Sequence, residues 1–314
     1  MSTGANAKIG IGPEATWGTA VGSARWLKCQ ETIAEDRGRL REANPGGGTR
    51  STMPADPGRL RITGGLQDIH VRPAAIGDLF RAAFGAPTTV AGPPNVHTFQ
   101  PAQAKFAAEA ALPPYSATIE KGSKVFQYSG GQANQLELRQ AKDDVLMANI
   151  DFIFKNVAEV ASEVATLDNG TRFRYGHLAV TKGGVAFPYL EDLTLTVANA
   201  LDTEETLNGD DVISAVDFND QLSVTLAMTL TFRDASTYDA FAAGSTDAYV
   251  FTWTIDANNI LEITIPKLNI DSWSAPVNGP GRLTIAVQAT AEYDAASGYE
   301  LQAVLTNDVA AYGA

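Results

Sequence analysis

The 314-residue chain holds one cysteine, Cys29, so no intramolecular disulfide and no thiolate metal cluster can form, and a reducing compartment is the simplest expectation. Its three histidines, His70, His97 and His177, lie far apart, which starves histidine-based metal and nucleophile–base chemistry. Charged residues are 19%, below the usual ~25%, as expected of a surface that is neutral-polar or covered by a neighbour. No run approaches the ~20 apolar residues needed to cross a bilayer, so no membrane partner is expected. The opening Met1–Lys8 lacks the apolar stretch of a signal peptide, and a chain soluble and intracellular at synthesis is expected, with the Asn169-Gly170-Thr171 sequon silent.

Familiar catalytic signatures are missing as well. Gly10 and Gly12 match a dinucleotide glycine motif only loosely, without a strand–helix context and with Pro13 in the way. No phosphate-loop lysine motif, no Gly-x-Ser-x-Gly elbow and no His-Glu-x-x-His pair occurs. The acidic pairs Asp143-Asp144, Glu191-Asp192 and Asp210-Asp211 could supply glycosidase carboxylates, but adjacency does not set the ~5–10 Å separation that chemistry needs, and turns or surface charge explain them more simply. The spacing within Asp202–Asp211 is too irregular for an EF-hand loop. Cys29 reads as a small buried hydrophobe, and His70 as a residue at a polar surface or in a local hydrogen bond. No enzyme, cofactor or metal is expected.

What is present is 45% hydrophobic residues, enough for a large core, in a pattern dominated by alternation. Leu222–Phe232 and Leu283–Glu292 alternate apolar with small polar residues, the period-2 signature of half-buried strands, and 148–154 and Gln135–Arg139 are shorter versions. Segments 253–256 and 260–265 flank Ala257-Asn258-Asn259, a plausible hairpin turn because Asn tolerates positive φ. Two helices are expected. One is Pro73–Phe84, with Pro in its first turn, Ile76, Leu79, Phe80 and Phe84 on one side, and Gly85 as its stop. The other is Asp234–Ala243, stopped by Gly244.

These helices expose a repeat. Strand, loop of about 20 residues, long strand, short helix and further strands occur twice, through the loops Ala34–Pro57 and Asn199–Asn219, and we favour duplication over coincidence. The expected division is an N-terminal arm (1–19), a first module (20–157), a linker (158–184), a second module (185–303) and a C-terminal tail (304–314). Charge is split: residues 1–157 carry +3 and residues 158–314 carry −16 of the net −13. Such acidity does not suit gripping nucleic acid through its phosphates. The first long loop is rich in arginine, with Arg37, Arg39, Arg41 and Arg50. The second holds Asp202, Glu204, Glu205, Asp210 and Asp211 with no Lys or Arg. Either both are solvated and flexible, or they are arms ordered on assembly whose opposite charges meet between copies.

Gly12-Pro-Glu-Ala-Thr-Trp-Gly-Thr-Ala20, the strand-into-helix segment with Tyr238, Phe241 and Gly244, and a late strand ending in Ile265-Pro266 together resemble the tail tube proteins of long-tailed bacteriophages. The resemblance implies a mainly β fold: two tandem β-sandwich or barrel-like modules, each with one short helix. It implies rings with a continuous inner β-barrel, stacked into a tube that DNA traverses into the host. Three copies with pseudo-six-fold symmetry are favoured and six are the alternative. It further implies tail terminator and tail-tip partners, tape-measure protein and DNA passing through the lumen without specific binding, a place in the virion tail, and assembly in the host bacterial cytoplasm.

A bore that lets DNA slide should be polar and not cationic. Its candidate lining is Gln135, Glu137, Asn149 and Asp151 from the first half. The second half offers Ser223, Thr225, Thr229, Thr231, Thr284, Gln288, Thr290 and Glu292. The same faces could instead form the outer surface. Two other classes stand beside this one: a different phage or surface β-sandwich, such as a baseplate or glycan-binding module, and a carboxylate-dependent glycan hydrolase. Trp17, Trp26, Trp253 and Trp273 are dispersed, which speaks against a glycan platform.

Overall fold

The computed structural model describes residues 4–41, 51–52, 54–101, 112–233, 235–277 and 279–313. The chain is mainly β, and among the described residues nineteen strands form one extensive antiparallel array and two more a small ribbon. The first half opens with β1 (Lys8–Pro13), β2 (Arg25–Leu27), β3 (Gln30–Glu31), β4 (Ala34–Arg41) and β5 (Ala55–His70). Helix α1 (Pro73–Phe84) follows, then β6 (Thr88–Val90), β7 (Asn95–Phe99), β8 (Tyr115–Lys121), β9 (Lys124–Ala141), β10 (Met147–Phe154) and β11 (Asn156–Val160). The second half has β12 (Leu178–Lys182), β13 (Val185–Ala186), β14 (Leu190–Ala198), β15 (Leu201–Glu204), β16 (Ala215–Phe218) and β17 (Ser223–Thr231). After helix α2 (Ser236–Ala243) come β18 (Thr246–Asp256), β19 (Asn259–Ser274), β20 (Thr284–Ala291) and β21 (Gln302–Asn307).

The same pairing scheme occurs in each half. Strand β9 is flanked by β8 and β11 along its first part and by β10 farther on, while β10 pairs with β5. Strand β19 is likewise flanked by β18 and β21, then by β20, which pairs with β17. The two-stranded additions also match: β1–β2 lies on β8 as β12–β13 lies on β18. The halves are joined where β14 pairs with the last part of β9, from Asp192 opposite Ala141 to Ala198 opposite Gln135. Among the described residues the sheet does not close into a barrel.

One hydrophobic core runs through both halves, because the core-forming strands turn their apolar alternates to the same side. In β17 Val224, Leu226, Met228 and Leu230 are buried, and in β20 Ile285, Val287 and Ala289. Helix α1 forms as its pattern predicts: Pro73 pre-sets the first turn, Gly85 ends it, and Ile76, Leu79, Phe80 and Phe84 are buried, with Phe80 stacked on Phe84 at 5.4 Å. Helix α2 starts at Ser236 and ends at Gly244, whose left-handed φ of 59° suits glycine. It buries only Thr237. The 257–258 turn connects β18 to β19 with Asp256 opposite Asn259.

Several expectations need correction. Ala34–Pro57 is not a loop throughout: β4 pairs with the start of β5, from Ala34 opposite Thr63 to Arg41 opposite Ala55. All eight residues of β4 are exposed, so apolar alternation had no reason to mark it. Asn199–Asn219 contains the ribbon β15–β16, with Leu201 opposite Phe218. Within the expected arm, β1 is a buried strand paired with β8. The expected linker begins within β11 and carries β12, and the expected tail begins inside β21 and ends near the buried Tyr312. Arg50 lies outside the described residues, as does Asp234, the expected cap of α2.

Polar bonds fasten the halves at their junction. The amide of Asn199, only 3% exposed, donates from Nδ2 to the carbonyls of Ala83 and Ala133, both at 2.9 Å. Buried Trp253 donates from Nε1 to Gln140 Oε1 at 2.7 Å. Asn199→Ala strands two buried carbonyls and is expected to cost about 2–4 kcal/mol, read as a lower urea midpoint with unchanged slope.

Candidate functional site

Residues directly opposite in neighbouring strands point to the same face of a sheet. The registers therefore align the polar alternates of β10, β9, β14, β17, β20 and β19 into rows. One row runs Asn149, Glu137, Thr196, Thr225, Thr290, Asn269. A second runs Asp151, Gln135, Ala198, Ser223, and a third Arg139, Thr194, Ala227, Gln288. Thr229 stands opposite Asp192 and Thr231 opposite Thr284. Eleven of the twelve sequence-derived lining candidates thus share one continuous surface on the side away from the core. Glu292 sits one residue past β20, where Asn269 Nδ2 donates to it at 3.3 Å.

Sequence reasoning missed the contribution of β14, whose Thr194 and Thr196 fill the centre of this surface, although its apolar–polar alternation carried the signal. It also missed Arg139. This cation stands on the same face, paired with Asp68 and 4.0 Å from Glu137. The face is cross-linked by its own amides: Asn149 Nδ2 donates to Glu137 Oε1 at 2.8 Å, and Gln67 Nε2 to Asp151 Oδ1 at 2.8 Å. Burial pushes the Asp151 carboxyl above the usual carboxylate range, opposed by the Gln67 amide.

Each end of the face is tied differently. At one end Glu191 accepts from Thr231 Oγ1 (2.6 Å), Arg282 (2.6 Å) and Lys142 (3.2 Å), and the Thr231 hydroxyl is the main influence holding its pKa down. Lys142 belongs to the first half and Arg282 to the second, so this knot spans the junction. At the other end the β15–β16 ribbon folds over the first half. Ile213 and Val216 pack with Ile153, Trp17 and Leu201 in a small second core. There Arg61 pairs with Glu205 at 2.6 Å, and its hydrogen bond holds the Glu205 carboxyl below its ordinary range. Arg59 donates to the carbonyls of Val212 (3.1 Å) and Thr206 (2.7 Å), and Arg37 lies 3.5 Å from Asp211. The basic and acidic segments therefore meet inside one chain at these residues. Arg39, Arg41, Asp202, Glu204 and Asp210 are exposed.

The residues weighed for other chemistry are scattered. Asp143 and Asp144 form the β9–β10 turn, Asp143 at φ 64°. Glu191 and Asp192 sit in the junction knot, and Asp210 accepts from Asn208. Trp26 and Trp253 are core residues, Lys155 covers Trp17 at 4.2 Å, and Trp273 packs on Tyr238. The Cys29 thiol is raised to about 12 by burial and then by Glu31, which leaves it protonated and unreactive at neutral pH. His70 Nδ1 faces Arg172 at 3.0 Å. No group of three or more metal-ligating side chains occurs among the described residues, and no described helix is long and apolar enough to cross a membrane.

The Asp151 shift gives a signed test. Its folded pKa is raised, so its ionisation costs stability above that pKa, and the cost vanishes below the unfolded value near ~4. Asp151→Asn keeps the acceptor for Gln67. It is expected to raise the urea midpoint at pH 8 and to leave it level with the parent at about pH 3, below the unfolded value.

No curated protein matches the sequence. A family model described as phage tail tube protein matches residues 4–301, nearly the whole chain and both halves of the repeated sheet. With that match added to the β architecture, the chain belongs to the phage tail tube protein family, structural components of the virion tail that assemble with themselves into a tube and meet other tail proteins.

Proposed function

We propose that copies of this chain join edge to edge into rings, that the rings stack into a hollow tube, and that the polar face described above lines the bore through which phage DNA passes. The observation that carries the reading is the junction inside the chain. The last part of β9 gives its second edge to β14 of the second half. The matching stretch of β19, Ile270–Ser274, has β20 on one edge and no strand on the other among the described residues. Strand β4, which precedes β5 as β14 precedes β17, pairs only with β5 among the described residues. Pairing β19 of one copy with β4 of the next repeats the internal junction at the interface. It places Arg37, Arg39 and Arg41 between copies and satisfies two edges that would otherwise invite aggregation. A heterologous contact of this kind closes into a ring when its rotation divides a full turn.

Each chain brings two four-stranded blocks, β4-β5-β10-β9 and β14-β17-β20-β19, which we take as the cores of the modules 20–157 and 185–303. Three copies then give six blocks with pseudo-six-fold symmetry, and six copies per ring remain the alternative. The bore surface would be hydroxyls, amides and carboxylates with Arg139 held by its acids. Such a surface releases no counterions from DNA and so does not hold it. Tail terminator, tail-tip and tape-measure proteins would meet the tube at its ends and in its lumen.

Two experiments test this. In a Cys29→Ser background, Leu40→Cys on β4 and Ser272→Cys on β19 are expected to be joined by a short bis-maleimide into a covalent ladder that closes at three chains. Tubes seen by negative-stain microscopy without any interchain link would remove the β4–β19 contact. Thr225→Lys with Thr229→Lys is expected to leave tubes intact and to slow genome delivery by about tenfold or more at low salt, and delivery at the parental rate would remove these threonines from the bore.

A further inference from the structure

We infer that the outward face of the β15–β16 ribbon of one copy seats its carboxylates in a cationic cavity at the far end of β5 on a second copy, and that this contact stacks one ring on the next. The inference rests on the ring reading above and adds to it a receptor site.

The cavity has a volume of about 620 Å³, and its lining includes Lys28, His70, Arg72, Arg172 and Arg174. Its cations are held in place by neutral partners. Lys28 Nζ donates to Asn169 Oδ1 at 2.6 Å, Arg72 Nε to the Gly170 carbonyl at 3.1 Å, Arg172 to His70 Nδ1 at 3.0 Å, and Arg174 Nε to His177 Nε2 at 3.3 Å. Arg72 is 9% exposed. The described ion pairs use none of these four cations. Asp68 and Asp144, the carboxylates whose field reaches His70, are engaged elsewhere, Asp68 by Arg139 and Gln30 and Asp144 by the Val145 amide. In a chain of net charge −13, a cavity with four cations and no paired carboxylate calls for an anionic occupant.

The ribbon supplies one of matching shape. Asp202 stands directly opposite Asp217, and Glu204 lies two residues along on the same outward face. Like charges placed opposite each other across two strands destabilise the pair. All three carboxylates are exposed, and the described ion pairs include none of them, whereas Glu205 and Asp211 are already taken by Arg61 and Arg37. A cation from outside relieves the Asp202–Asp217 repulsion.

The two surfaces cannot meet within one chain. The ribbon is anchored at Arg59 and Arg61, and the cavity lies beyond His70 at the other end of the same strand. Eleven residues separate Arg61 from Arg72, up to roughly 35 Å of extended strand. Complementary surfaces at opposite ends of one element form a heterologous contact that repeats by translation, the geometry of an open stack.

The test uses the full-length chain. Asp202→Asn with Asp217→Asn, and separately Arg172→Gln with Arg174→Gln, are expected to leave rings intact in analytical ultracentrifugation and to cut sedimentable tubes by about tenfold or more. The acidic-side variant should also keep or raise the thermal midpoint of the unassembled chain, because it removes a repulsion, so fewer tubes would not reflect misfolding. Parental stacking should weaken between about 0.05 and 0.5 M salt. Parental tube yield from either variant would overturn the inference while leaving rings standing. Absence of rings from the parent chain would instead overturn the reading on which it rests.

Discussion

The antiparallel pairing of β9 with β14 is the constraint on which the rest of the molecule depends. Because side chains alternate with a period of two, slipping this junction by one residue would turn Leu136 and Leu138 outward and Glu137 inward on one side of it. The observed register, Glu137 opposite Thr196 and Leu138 opposite Leu195, keeps one apolar surface and one polar surface continuous across both halves. The core and the polar face are thus two consequences of a single alignment. Its fasteners are polar and sit at its margins: Asn199 at one end, and at the other Gln140, bonded to Trp253, with the Glu191 knot. Buried polar groups specify geometry when their bonds are made, and here both Asn199 Nδ2 donors and the Trp253 Nε1–Gln140 Oε1 bond are made.

Charge is distributed according to whether it must be silent or available. On the polar face Arg139 is neutralised by Asp68 and Glu137, so the surface presents its hydrogen-bonding groups without a free cation. Away from it, the ribbon is pinned by Arg61 on Glu205, an exposed pair worth little by itself. The ribbon's seat depends more on the apolar contact of Ile213 and Val216 with Ile153, because burial there does not fade with salt.

How far the sequence disclosed this follows from which signals depend on burial. Strands β17 and β20 and helix α1 were legible because one face of each meets the core, so their periods are written in apolar residues such as Leu226, Val287 and Phe80. The polar face was legible for the same reason, as the complement of that pattern. Strand β4 was not, since a hairpin arm with both faces in water needs no apolar period, and its arginines read as loop charge. The ribbon was hidden by its brevity, with few apolar residues, Leu201, Val216 and Phe218, on its inner face. The cationic cavity was invisible for a different reason: Lys28, Arg72, Arg172 and Arg174 are gathered from distant parts of the chain by the packing of 167–177 beside β2 and the end of β5, and no local window contains them.

Edges give the same logic at larger scale. A sheet of nineteen strands that does not close must end somewhere, and an unpaired edge is stable against promiscuous pairing only if charge, curvature or a partner covers it. Strand β4 carries Glu35, Asp36, Arg37, Arg39 and Arg41 along eight exposed residues, a composition that repels hydrophobic strands yet leaves its backbone donors and acceptors open to a partner of fixed register. The edge at Ile270–Ser274 has the opposite problem, following directly from a strand whose alternates Ile263, Ile265 and Leu268 are core residues. One edge selects by charge and the other by its place beside a rigid core. Within the chain, the matching stretch of β9 is covered in this way by β14, whose apolar alternates reach the core while its polar ones stay on the outer face.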